Sequence, residues 1–104
     1  MIMRVDEIFK LLKDEFSAKE VNSWGSSVIY RKDLMTDFFI DFVFKGTTCT
    51  MELHQSDITY FSSQYWINEE DFKNKIIETI IEYTETAKSI IQRCKLSKIK
   101  EDFV

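Results

Sequence analysis

Proline is absent and glycine occurs only twice in 104 residues. With so few backbone breakers, the turns must be built from Lys, Asp, Ser and Asn, and a long loop or flexible linker is not expected. Cysteine also occurs only twice. Cys49 and Cys94 show no CxxC or Cys/His spacing, which speaks against a zinc site or a disulfide framework, so both read as reduced, small core residues. No stretch approaches the roughly 18 apolar residues of a membrane span. The longest apolar clusters, Ile76-Ile77 and Ile80-Ile81, are interrupted by Glu78. Near the N-terminus, Asp6 and Glu7 stand where a secretory leader needs an unbroken apolar run. A cytoplasmic protein without membrane association is therefore expected. The two glycines stand alone, so no Gly-rich phosphate loop is present.

The charge balance is acidic, with a formal net charge of −4. Nucleic-acid binding needs clustered cations that displace phosphate counterions, and that sign opposes it. Residues 68–71, Asn-Glu-Glu-Asp, would repel phosphate at the start of the last helix. Direct nucleic-acid binding is not expected, whereas a protein partner with a basic surface suits the charge. Hydrophobic residues make up 44% and charged residues 31%, ordinary values for one globular domain over residues 1–104 with a core that needs no staples. Abundant Ile and Lys with little Arg matches AT-rich coding, as in low-GC bacteria and their phages.

Val5, Ile8, Phe9, Leu12 and Phe16 recur at three and four residues, which predicts an amphipathic helix from Met3 to about Lys19. The segment 22–27 breaks that pattern and leads into a first strand over 28–30. Its inward face is left open between Trp24, Val28 and Tyr30 on one side and Ile29 on the other. In the next segment, 37–45, the period is two. Phe38, Ile40, Phe42 and Phe44 share one face, and Asp37, Phe39, Asp41, Val43 and Lys45 share the other. A two-residue turn centred on Lys45-Gly46 would pair Phe42 with Cys49, Ile40 with Met51 and Phe38 with Leu53. The same register sets Asp41 opposite Thr50, Phe39 opposite Glu52 and Asp37 opposite His54, with Asp41 solvated on the outer face.

A fourth strand is expected over 58–62 and a long helix after it. Asn68 would cap that helix, residues 69–71 would complement its dipole, and Ile67 with Phe72 would staple its start. Its apolar stripe runs through Phe72, Ile76, Ile80, Tyr83, Ala87, Ile90 and Cys94. Lys88, Arg93, Lys95 and Lys98 gather toward the end, and the cations from Lys95 to Lys100 read as a solvated helix terminus. The predicted fold is α+β: a two-layer sandwich in the order helix, four-stranded antiparallel meander, helix, with both helices on one sheet face.

Several constellations could carry chemistry. Cys49 and His54 are separated by an odd number of residues within one strand. They should face opposite ways and cannot form a nucleophile–base pair unless a bulge intervenes. Asp37, Glu52 and His54 could converge on the outer face, where a cross-strand ion pair is the expected role and an acid–base couple the alternative. Asp37 and Asp41 lie about 13 Å apart along the strand, too far to share an ion. No catalytic, cofactor-binding or metal-ligating set is assigned. Two acidic surfaces remain. One is the outer face, with Asp37, Asp41 and Glu52 around Phe39 and Val43. The other is a ridge on the last helix, Glu78, Glu82 and Glu85, whose like charges at that spacing cost a few tenths of a kcal/mol per pair. An exposed aromatic ringed by carboxylates is a common form of protein interface.

The expected function is therefore that of a small non-enzymatic inhibitor, of the toxin-immunity or phage anti-defence type, which occludes a partner protein. The alternative is a homodimeric assembly or chaperone-like protein joined through the last helix, whose arc is widened by Ile77, Ile81 and Ile91.

Overall fold

The first helix is shorter than its periodicity predicts. In the computed structural model, which describes residues 3–21, 25 and 27–102 with α-helical side chains through Cys94, α1 spans Val5–Asp14 and buries Ile8, Leu11 and Leu12. Trp24 and the side chains of Lys95, Lys98 and Lys100 lie outside the described residues. The helix closes when Ser17 enters the left-handed region at φ 56° and the Ala18 N–H donates to the Leu12 carbonyl at 2.8 Å. Only glycine adopts that conformation without cost, and no glycine marks the stop. Lys19, expected to end the helix, instead begins a strand.

Five antiparallel strands follow in simple meander order, one more than expected: β1 (Lys19–Val21), β2 (Val28–Asp33), β3 (Phe38–Lys45), β4 (Thr48–Gln55) and β5 (Ile58–Trp66). The unforeseen strand is β1, three residues long and without alternation to announce it.

The β3–β4 hairpin differs from the expected register in an informative way. Phe44 pairs with Cys49, Phe42 with Met51, Ile40 with Leu53 and Phe38 with Gln55. The turn is centred on Gly46-Thr47, one residue later than expected, with Gly46 at φ 60°. A positive φ at the first central residue, filled by glycine, is the II′ arrangement, whose twist matches the flanking strands. Moving a two-residue turn by one position moves every partner by two, so each side chain keeps its face. A Cβ at Gly46 would meet nothing within 4 Å, so any penalty there is purely conformational. Gly46→Ala should cost about 1 kcal/mol, read as a lower urea midpoint at constant m-value.

Helix α2 (Phe72–Asp102) starts four residues after the expected cap. Residues 67–71 form turns instead, and the Asp71 carbonyl accepts the Lys75 N–H at 3.0 Å, so Asp71 takes the capping position. Ile67 and Phe72 are both buried as core residues, but with Asp71 as the cap the staple positions fall on Glu70 and Lys75, so the expected staple does not form. Cys94 is exposed, contrary to expectation, because α2 outruns the sheet: Ile91 is the last residue packed on the core. At about 1.5 Å per residue the helix is some 46 Å long, whereas an eight-residue strand covers about 27 Å.

The core lies between the helices and one face of the sheet. Phe38, Ile40, Phe42, Phe44, Met51 and Leu53 meet Ile8 and Leu12 of α1 and Phe72, Ile76, Tyr83 and Ala87 of α2 in one buried cluster. Phe9 stacks on Tyr30 at 4.8 Å and meets Phe44 edge-on at 5.0 Å, which fixes α1 over β2 and β3. The Tyr83 hydroxyl donates to the Met51 carbonyl at 3.1 Å and its ring stacks on Phe61 at 6.1 Å, which ties α2 to β4 and β5. No element among the described residues packs against the opposite face, which we call the outer face.

Candidate functional site

The centre of the outer face is a row that crosses the whole sheet, Lys19–Arg31–Asp41–Glu52–Ser62. Asp41 is only 7% exposed, although no helix covers it. Burial comes from its neighbours. Arg31 of β2 lies alongside, its Nε donating to Asp41 Oδ1 at 2.8 Å and its Nη2 to Oδ2 at 3.1 Å. His54 Nε2 approaches the same carboxylate at 3.8 Å. The expectation of a solvated Asp41 is thus corrected: the residue faces outward, but β2 delivers a bidentate cation onto it. Such a fork-to-carboxylate pair is among the stronger side-chain interactions. Hydrogen bonding by Asp41 holds the Arg31 guanidinium above its ordinary pKa, against the opposing effect of burial.

The register explains why a cation is needed there. Asp41 stands opposite Glu52, not Thr50, and like charges directly opposed across strands repel. Arg31 on one side relieves the repulsion, and the His54 ring lies against the two carboxylates on the other. Phe39 completes the cluster, with its ring centroid 4.0 Å from the Arg31 guanidinium carbon and 5.2 Å from the stacked His54 ring. His54 is held at both nitrogens: Nδ1 lies 2.9 Å from Thr59 Oγ1 and Nε2 lies 3.4 Å from Glu52 Oε1.

Asp37 is not part of this cluster. It was expected opposite His54, but the two-residue shift gives that place to Phe39. Asp37 instead accepts bonds from Gln55 Nε2 and Ser56 Oγ, both at 3.0 Å, where the β2–β3 connection meets the β4–β5 turn. Those two bonds hold its carboxyl below the ordinary carboxylate range. The acid–base couple expected between Asp37 and His54 has no geometric basis. Nor has the Cys49–His54 couple. A bulge does interrupt the β4–β5 ladder beside His54, but its extra residue, Tyr60, belongs to β5, so β4 keeps its alternation. Cys49 is fully buried on the inner face while His54 looks outward. Among the described residues no group of three His, Cys, Asp or Glu side chains is placed to hold a metal ion.

Burial pushes the Cys49 thiol above its ordinary 9.0 and, more than any other cause, the Tyr83 phenol above its ordinary 10.0. Both groups ionise more readily in the unfolded chain, so their contribution to stability is complete below those values and is lost as pH rises through them. Urea midpoints should therefore fall steadily above pH 9.0, and Cys49→Ala should make the first part of that fall shallower.

The α2 ridge is exposed as expected. Glu78 and Glu85 are engaged by lysines on their own helix, Lys75 at 3.8 Å and Lys88 at 3.5 Å. Glu82 and Glu85 also wall a groove of about 590 Å³ between α2 and β5, together with Tyr60, Phe61, Ile90 and Arg93. The structure therefore brings together Phe39, Asp41 and Glu52 on the outer face. It places Asp37 at the adjacent turns and Glu78, Glu82 and Glu85 on the opposite side of the molecule.

Arg31 and His54 are the members of the cluster to which the sequence reading assigned no binding role. For His54 the signal was its strand parity with Glu52, read as a simple ion pair. For Arg31 there was none, because the face of the first strand could not be decided before its pairing with β3 was known.

The fold is α+β, with a five-stranded antiparallel sheet and two helices, and no helix among the described residues is long and apolar enough to cross a membrane. No family model, curated protein or solved structure matches this chain.

Proposed function

We propose that this chain is a small acidic protein-binding inhibitor of the toxin-immunity or phage anti-defence type, acting in the cytoplasm by occluding a partner. The observation that carries this reading is the open outer face with a rigid, hydrogen-bonded cluster at its centre. Arg31, Asp41, His54 and Glu52 satisfy one another around Phe39, so the surface is organised before any partner arrives. A preorganised surface loses less freedom on binding. Trp66, at the far end of the same face and 56% exposed, offers a second aromatic anchor. Arg31 neutralises Asp41, which leaves Glu52 and Asp33 as the acidic rim, and the net charge of −4 favours a basic partner through long-range steering.

The test is affinity capture from the native host with the wild-type chain and with Glu52→Lys and Trp66→Ala variants of matched melting temperature. A protein retained by the wild type and lost by both variants is expected. Equal retention by all three would remove the outer face from consideration.

Self-assembly is the second reading, favoured by Ile81, which is 60% exposed on α2. In that case a homodimeric assembly protein, not an inhibitor of another chain, would use the last helix. Ile77 and Ile91 are partly buried already and would add less to such a contact.

A further inference from the structure

The two edges of the sheet are built differently. At one edge β1 has three residues, and Lys19 and Glu20 put charge on it. Short, charged edges resist pairing with another chain. At the other edge β5 runs for nine residues, Ile-Thr-Tyr-Phe-Ser-Ser-Gln-Tyr-Trp, without a charged side chain or a proline. It is the last strand of the sheet among the described residues, so one row of its backbone donors and acceptors has no strand beside it. Ile58 and Phe61 are 52% and 49% exposed. The bulge turns both Tyr60 and Phe61 to the helix side, where they line the groove beside α2.

We propose that β5 is a self-pairing edge, joining two copies of this chain through antiparallel β5–β5′ hydrogen bonds into one ten-stranded sheet. The occupant follows from the strand's neutrality. Antiparallel two-fold pairing sets each position against its symmetry mate, and only the central residue against itself, so a strand bearing charge of one sign would repel its copy, and none is present. A strand adapted to a basic partner would carry acid instead. The size is also adequate. Nine residues span about 30 Å, and a strip of that length through a sheet and one helix layer, about 20 Å deep, gives roughly 600 Å² per copy. That approaches the approximately 800 Å² per partner of stable complexes. Phe61, next to the central Ser62, would supply the apolar contact on the helix side, with the groove between β5 and α2 closing over it and Ile58 adding apolar contact at each end.

The surface proposed for a partner meets this seam only at Trp66, because a β5–β5′ pair leaves Arg31, Phe39 and Asp41 uncovered. The experiment is sedimentation equilibrium of the full chain at high micromolar concentration, with hydrogen exchange on the same samples. The wild type should weigh twice the 12.4 kDa of one chain, and its β5 amides should gain protection as concentration rises. Ser62→Lys/Gln64→Lys changes two exposed outer-face positions of β5 and should return the mass to a single chain, with β5 amides exchanging freely and the far-UV spectrum unchanged. A wild type that stays monomeric overturns the proposal. So does a dimer that survives the lysine pair but dissociates on Ile81→Lys, which would place the contact on α2. Should the lysine variant fail to fold, concentration-independent exchange of the wild-type β5 amides overturns it equally.

Discussion

Phe42→Ala is expected to lower the stability of this protein by about 3–5 kcal/mol, the cost of removing a buried aromatic ring and leaving its cavity. Phe42 is fully buried at the centre of β3, between Tyr30 on β2 and Met51 on β4. A domain of this size has about 5–15 kcal/mol in total, so the loss is a large share and should lower the melting temperature by on the order of 20 °C. Phe39→Ala is the matched control, three residues earlier in the same strand and therefore on the outer face. It deletes the same ring but only loosens contacts with Arg31 and His54, and should cost about 1 kcal/mol. Thermal denaturation of the two variants side by side measures the difference between the faces. Equal losses would mean that the helices do not lie where the inner-face aromatics place them.

Arg31→Met should be the most damaging change outside the core. It removes both hydrogen bonds to Asp41 and leaves that carboxylate opposite Glu52 without its cation. Breaking a fully buried ion pair costs about 3–5 kcal/mol. The Arg31 side chain is 39% exposed, so solvent screens part of the loss and about 2 kcal/mol is the expected value. A double variant, Arg31→Met with Asp41→Leu, separates the pair's net contribution from the penalty of a stranded charge. The cluster should recover most of the lost stability, because an apolar pair of similar size carries no desolvation cost. Urea denaturation of both single variants and the double variant closes the cycle. Additive losses would show that Arg31 and Asp41 do not act on each other.

The same two residues mark how far the sequence could be read. The inner and outer sets of β3 and β4 follow from alternation alone, and a turn displaced by one residue left them intact. The long final helix was equally legible from its stripe, although its start was not, because three acids after Asn68 suit a helix dipole as well as they suit the turns they form. Strand β1 was hidden by its length. The end of α1 was hidden because Ser17 makes a left-handed turn that the residue type does not announce. Cys94 fits the apolar stripe of α2, but nothing local reports that the sheet beneath has ended.

Of the candidate surface, alternation along β3 and along β4 sufficed to assign Phe39, Asp41 and Glu52 to the outward sets of their strands, since side-chain direction along a strand is a local property of period two. Which residue stands beside which was decided only by the tertiary structure. Arg31 reaches Asp41 because β2 pairs with β3 through the connection at 34–37, whose residues carry no glycine or proline to dictate a register. Cross-strand distance depends on chain segments far apart in sequence, and no local pattern encodes it.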